Sequence, residues 1–476
     1  MHADICALGY AIHLGLVSTC LCALSPSRRA HTLDGGGAIA VLHDMTEGLM
    51  PRSTSTRFRF GSGIVAVGAL LALTACAPET DPEPTADPAP ETTAPVAYSG
   101  PALFVGDELN WFLLSSDEIA SALPGSTEIG EPTSVLEQIS DGGGPQPGPE
   151  ICSTLFLEQS LWSVGSRNVT WTTTSDADYR FGQMLALQFA DEAQAQGRMD
   201  QLVETAAQCS TFDYNGTATF ESVIPAESDG VRALAGTLTL PDVEGGWSTF
   251  SAYAAVGNVL VQVSQSVEGD ARPDAEAVAT LLQDRATEAK ASLVDELTAN
   301  PPTAEPVPEV HASAPWGEWE IADDGVGPIN IGDPIDVAVT AGQAAQVVEP
   351  EYAGAPWKLV NSDGTASLLL TATDDDSAVV SVTVGNDRSM EEVSQDGAAL
   401  PARGGVRVGA PVADAIAAFP GGTTVTVVSS GDDWYDVATR EGRLFRFHAD
   451  RDVVEPGALI VGITVQDVTK RTLGSF

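Results

Sequence analysis

The sequence predicts an α+β chain of two globular domains. Each is an antiparallel sheet with packed helices, and the second is a tandem repeat of about 77 residues. Three observations predict this. Strand-like segments between 168 and 266 follow one another without intervening helices from 212 onward and are bracketed by helix-like segments, the order of an α+β domain rather than of alternating βα units. Two proline-rich stretches, 76–97 and 298–315, interrupt the hydrophobic pattern and read as linkers. Beyond residue 326 the pattern of apolar and turn residues returns on itself, the mark of an internal repeat.

Residues 50–75 read as a lipoprotein signal peptide. Arg52, Arg57 and Arg59 form a positive n-region, Ile64 to Leu73 is a ten-residue apolar run, and small residues precede Cys76. Ten helical residues span about 15 Å, roughly half a bilayer core. Leu73-Thr74-Ala75-Cys76 resembles the lipobox, in which the cysteine thiol takes a diacylglycerol before cleavage. The resemblance implies that Cys76 is the lipidated first residue of the mature protein. It also implies an extracytoplasmic location, held to the cell membrane by that lipid. Met50 is a natural start for such a leader, so residues 1–49 read as an upstream extension from a misassigned start; the rival reading is a further hydrophobic segment. From 77 to 97 come six prolines, five acidic residues and no basic one. With almost nothing large and apolar to bury, 76–97 is a tether of polyproline character, reaching on the order of 60 Å at most.

From Cys76 onward the chain has 17 basic and 62 acidic residues, a net charge of −45. Such a surface repels phosphate backbones, which excludes nucleic acid as a partner. Three lysines against nineteen arginines, with abundant alanine, suggest a GC-rich genome such as an actinobacterium's. Besides Cys76 the mature region has two cysteines, Cys152 and Cys209. In an oxidising compartment they most simply form a disulfide. The bridge closes a loop of 57 residues, stabilising by on the order of 4 kcal/mol in the chain-entropy model.

The first domain spans 98–297. Ser115 to Glu118 caps a helix through Leu123, stopped by Pro124-Gly125. Residues 141–149 are a Gly/Pro loop, and Cys152 opens a further helix. Asn168 to Thr174 and Arg180 to Phe189 read as strands, and Asp191 to Cys209 as a helix with Met199, Leu202, Val203 and Ala206 on one side. Strands follow at Phe212 to Val223, Val231 to Leu240, Trp247 to Val256 and Asn258 to Ser266. Asp274 to Leu297 is a long helix striped by Val278, Leu281, Leu282, Ala289 and Leu293.

The helix Ser116 to Leu123, the cysteine after a Pro/Gly loop at Pro149-Glu150-Ile151-Cys152, and the helix ending Ala206-Ala207-Gln208-Cys209 together carry a resemblance. The domain resembles the extracellular sensor domain of the PknH-type Ser/Thr kinases of mycobacteria, a family also found in free-standing lipoproteins. The resemblance implies an α+β sensor module. The kinase domains carry two disulfides and this chain offers one pair, so no binding residues are carried over.

The second domain spans 316–476, with repeats at about 326–400 and 403–476. Ile329 to Ile335 returns as Val406 to Val412, 77 residues later; Trp357 matches Trp434, Val360 matches Val437, and Leu368 and Leu370 match Phe445 and Phe447. Val382-Thr383-Val384 matches Ile463-Thr464-Val465 at an offset of 81, as if a loop had gained four residues. One unit is small for an independent core, so the two are expected to share one. Such tandem units resemble the β-lactamase-inhibitor protein and related small envelope-lipoprotein modules, though without their cysteines.

Catalytic residues are scarce. His311 lies in a linker, and His448, beside Asp450 and Arg451, reads as a solvated surface residue. No nucleophile-elbow motif, multi-His/Cys zinc set or phosphate-cradling loop is present. Asp374-Asp375-Asp376 reads as a turn, since its spacing does not fit an EF-hand loop. Trp247, Trp316, Trp319, Trp357 and Trp434 read as packing residues. The expected function is a non-enzymatic ligand-binding or sensor module without a cofactor, its partners the membrane and an extracellular ligand or envelope protein. The alternatives are an envelope hydrolase using paired carboxylates and a protein inhibitor of a cell-wall enzyme.

Overall fold

The computed structural model describes residues 97–138, 147–173, 181–240, 247–267, 272–302, 311–352, 354–373, 375, 377–387 and 395–470. Cys76, the leader, most of the tether, the glycines at 142–144, Asp374 and Asp376 lie outside the described residues.

In chain order the elements are α1 (Ser116–Ala122), β1 (Ser126–Thr127), β2 (Val135–Gln138), β3 (Gly165–Thr173), β4 (Phe181–Gln188), α2 (Glu192–Gln208), β5 (Thr211–Asp213), β6 (Thr217–Val223), β7 (Arg232–Leu240), β8 (Trp247–Val256), β9 (Val259–Val267) and α3 (Ala275–Ala299). The second half has β10 (Ile321–Ala322), β11 (Gly325–Val326), β12 (Ile329–Asn330), α4 (Ile335–Ala341), β13 (Gln346–Val348), β14 (Trp357–Val360), β15 (Ser367–Ala372) and β16 (Val379–Gly385). It continues with α5 (Val412–Ala418), β17 (Thr423–Val427), β18 (Asp432–Ala438), β19 (Arg443–Ala449) and β20 (Ile460–Asp467).

The first sheet is antiparallel, in the order β1-β3-β4-β9-β8-β7-β6-β5. Side-chain caps begin its helices. Ser115 and Glu118 exchange bonds at α1, Asp191 accepts from the Gln194 amide at α2, and Asp274 accepts from the Glu276 and Ala277 amides at α3. Each side-chain oxygen satisfies an amide that the first turn leaves without a partner. α3 buries Val278, Leu282, Ala286, Ala289 and Leu293 against one face, with Phe112, Ile119, Met184 and Phe250. α2 buries Met199 and Leu202 against the other, with Leu187, Phe189, Phe220 and Leu260. Both faces are covered, which is why β4 is apolar along its length rather than alternating. The β8–β9 turn fixes the chain entry. Gly257 adopts φ +53, and a Cβ there would lie 1.8 Å from the Ala102 carbonyl. Asn258 next to it bonds both the amide and the carbonyl of Phe104.

One expectation changes here. Phe212 to Val223 is not one strand: Tyr214-Asn215-Gly216 turns the chain between β5 and β6, with Asn215 at φ +50 and Gly216 at φ +139. Asn-Gly is a strong short hairpin signal. Cys152 lies near the start of the expected further helix, which is of the 3-10 kind, Glu150–Phe156.

The second sheet runs β13-β14-β15-β16-β20-β19-β18-β17-β2. Each repeat contributes a short helix and four antiparallel strands, and the halves meet at β16–β20 about a pseudo-two-fold axis. Thr383 pairs with Thr464, its own counterpart, their hydroxyls 2.7 Å apart; Val382 pairs with Val465 and Val384 with Ile463. One core holds both halves, including Leu368, Leu370, Val382 and Val384 from the first and Phe445, Phe447, Ile463 and Val465 from the second. The tryptophan match fails at residue level. Trp357 pairs with Leu370, whereas Trp434 pairs with His448, one position beyond Phe447, the counterpart of Leu370. A one-residue shift turns a side chain to the other face. Trp357 therefore packs on the shared core and Trp434 on the opposite side.

Candidate functional site

The seam between the two sheets gathers strand pairing, a buried arginine and a small cleft. Strand β2, from the first domain, leaves its own sheet and pairs in parallel with β17, Leu136 opposite Val425. The Thr424 amide donates to the Ser134 carbonyl at 3.0 Å, and the Val428 amide to the Gln138 carbonyl at 2.9 Å. Leu136 and Val425 join the core beneath α2, so the core of the first domain continues into the second.

Arginines fasten the rest. Arg167 on β3, its side chain 5% exposed, donates to the carbonyls of Ser166, Gly421 and Gly422 and to Asp107. The Ser166 amide donates to Thr423 Oγ1 at 2.8 Å. Arg440 forms an ion pair with Glu108 and donates to the Leu103 carbonyl. Gln194 on α2 reaches the Val468 carbonyl at 3.2 Å. Carbonyls that face a seam with no ladder partner are thus satisfied by guanidinium groups, which carry several donors in a fixed fork.

A small cleft of about 130 Å³ opens along this seam, lined by Val105, Leu109, Gly165, Gln188, Gly421 and Asp436 among others. Its carboxylate is already engaged: Asp436 takes two bonds from Arg446, at 2.9 and 2.8 Å, and one from Trp434 Nε1 at 3.0 Å. The Arg446 guanidinium lies 3.8 Å from the Trp434 ring centroid, a cation–π stack. His448 completes this group and is not a solvated surface residue. It is 6% exposed, its Nε2 lies 2.9 Å from Thr464 Oγ1, and burial, with the Arg446 charge, pushes its pKa down to about 3. The neighbouring charges hid this in the sequence; Arg451 and Asp450 pair with each other. A neutral imidazole bonded to a threonine on a sheet face is not a poised general base.

Elsewhere, burial raises the Asp433 pKa, helped by the charges of Asp452, Asp432 and Glu455, although Thr426 Oγ1 bonds it. Asp375 accepts from Thr373 and Ser377 in a turn. His311 is exposed in the described end of the linker. Among the described residues no group of three His, Cys, Asp or Glu side chains is placed to hold a metal, and no helix is long and apolar enough to cross a membrane. Cys152 and Cys209 are buried and disulfide-bonded, with Cys209 at the C-cap of α2. The bridge ties the 3-10 turn to α2, which Thr205 Oγ1 reinforces by donating to the Ile151 carbonyl. It belongs to the scaffold and does not line the cleft.

Sequence reasoning missed the seam. Arg167, Arg440 and Leu136 carry no motif, and their partners lie far along the chain.

Within the α+β module formed by the first sheet and its flanking helices, residues 106–285 match the family described as the PknH-like extracellular domain. That span includes β2, so the strand built into the second sheet comes from the PknH-like segment. Among solved structures, the extracellular domain of PknH from Mycobacterium tuberculosis is similar at 14% identity, over 42% of this chain and 99% of that one, with a TM-score of 0.28. No curated protein matches the chain.

Proposed function

We propose that the protein is a lipid-anchored, extracytoplasmic envelope protein whose PknH-like domain is a non-enzymatic ligand-binding or sensor module. The observation that carries this reading is the match of residues 106–285 to an extracellular domain family. The leader ending at Cys76 supports the anchor: a thioether-linked lipid there would hold the folded part outside the membrane on the 76–97 tether. The described site supports binding over catalysis, because its carboxylate and its histidine are both committed to internal partners. The tandem domain, fastened to the sensor module along the seam, would carry protein contacts.

Three measurements test the reading. Mass spectrometry of protein from native membranes should find Cys76 carrying a diacylglyceryl group, and Cys76→Ser should abolish that modification. An unmodified Cys76 with the leader still attached refutes the anchor. Crosslinking in intact envelopes should then recover the same ligand or protein through the domain spanning 98–297. Turnover of a cell-wall glycan by the purified chain would overturn the non-enzymatic reading instead.

A further inference from the structure

The two repeats share a fold but not a charge. Residues 326–400 carry two basic and twelve acidic side chains, whereas residues 403–476 carry eight and nine. In the second repeat the arginines are matched inward: Arg440 to Glu108, Arg443 to Asp467, Arg446 to Asp436 and Arg403 to Asp323. Among the described residues the first repeat has no such ion pair.

Their outer edges differ in the same way. The edge of β17 is covered by β2, a short strand with an apolar residue at its centre. β13, which occupies the same place in the first repeat, ends the sheet at the far side. Residues 345–349 are exposed, with Val347 at 41% and Val348 at 40%, and Tyr352 stands 70% exposed beside them. A terminal strand presents a row of backbone donors and acceptors ready to pair with an added strand.

We propose that β13 is a strand-addition site for an extended, basic segment of a partner protein. The covered edge at the other end of the sheet shows what this unit accepts: a few residues of extended chain with an apolar side chain over the sheet. The charge selects the occupant. Glu349 and Glu351 follow β13, both exposed, within a repeat of net charge −10. A second copy is disfavoured by net charge, because each copy would bring a repeat of net charge −10 to the same edge. Lysine or arginine on the added strand meets them favourably, and Tyr352 offers an aromatic face to a cation. The site lies at the opposite end of the sheet from the PknH-like module and stands whether or not that module binds a ligand.

The test uses the full chain with an acetylated, amidated peptide of alternating valine and lysine, followed by hydrogen exchange and light scattering. Saturable binding is expected, with exchange slowed at residues 345–349. The exposed double variant Glu349→Lys/Glu351→Lys should weaken it about tenfold or more without lowering the melting temperature, and a valine–glutamate peptide should not bind. Three results overturn the proposal. One is no binding. Another is binding that leaves exchange at 345–349 unchanged, meaning condensation on the acidic surface. The third is a dimer already protected at 345–349 without peptide.

Discussion

Replacing Leu136 by alanine tests the seam directly. Leu136 is 3% exposed and sits in the core that also holds Leu187, Phe189 and Val425. Truncating a buried leucine costs about 2–5 kcal/mol, depending on how far the surroundings collapse. β2 has four residues and lies at the end of the second sheet, so it can follow the truncated side chain inward. The lower half of the range is expected, about 2–3 kcal/mol. The loss should be local before it is global. The Thr424 and Val428 amides, which donate to Ser134 and Gln138, should lose hydrogen-exchange protection, while amides of α3 keep theirs. Urea denaturation of the full chain measures the energy, and exchange by mass spectrometry locates it. Glu137→Ala, exposed on the same strand, is the control and should stay within about 0.5 kcal/mol. A Leu136→Ala variant that loses less than about 1 kcal/mol, with both amides still protected, would refute the view that this strand joins the domains.

Arg167→Ala should cost about 2–4 kcal/mol in the same denaturation assay, because it strands the Gly421 and Gly422 carbonyls. Asp107→Asn should cost under about 1 kcal/mol, since that carboxylate is 78% exposed; equal losses would sink the distinction. Replacing Cys152 and Cys209 together by alanine should lower stability by on the order of 4 kcal/mol, read as a fall in denaturation midpoint that reduction of the wild type reproduces. His448 supplies a pH signature. Its folded pKa of about 3 lies below the usual 6.5, so the unfolded chain binds the extra proton first. Its contribution is complete above about pH 6.5 and falls by at most roughly 1.4 kcal/mol per pH unit on acidification toward pH 3. His448→Gln should flatten that part of the profile, and a variant with the wild-type slope would show that other groups produce it.

What was legible in the sequence was local. Asp191 and Asp274 announced α2 and α3 because a cap acts on amides two or three residues away. The spacing of Val278, Leu282 and Leu293 announced the buried face of α3, though Leu281 lies at its margin. The repeat was legible because apolar alternation at 382–384 and 463–465 survives as a pattern even where a loop has lengthened. The seam was not legible, because parallel pairing of Val135–Gln138 with Thr423–Val427 needs no turn and leaves no periodicity to read. The tryptophans show the limit of alignment by identity. Trp357 and Trp434 fall at the same offset, yet a one-residue change of register sends them to opposite faces.

The charge difference between the repeats follows from that packing. A guanidinium buried at a joint is favourable only where carboxylates or carbonyls converge on it, and the second repeat is where the PknH-like domain and the segment around Asp323 converge. Arg403 illustrates the fit. It bonds Asp323 and the Ile321 carbonyl while its guanidinium lies 4.0 Å from the Phe445 ring centroid and 5.5 Å from that of Phe419. Among the described residues the first repeat has no comparable neighbour at its outer edge, and its Asp336, Glu349, Glu351, Asp363 and Asp396 are exposed. A partner that covered β13 would stand to the first repeat as the PknH-like domain stands to the second. It would have to bring the positive charge that this half of the molecule lacks.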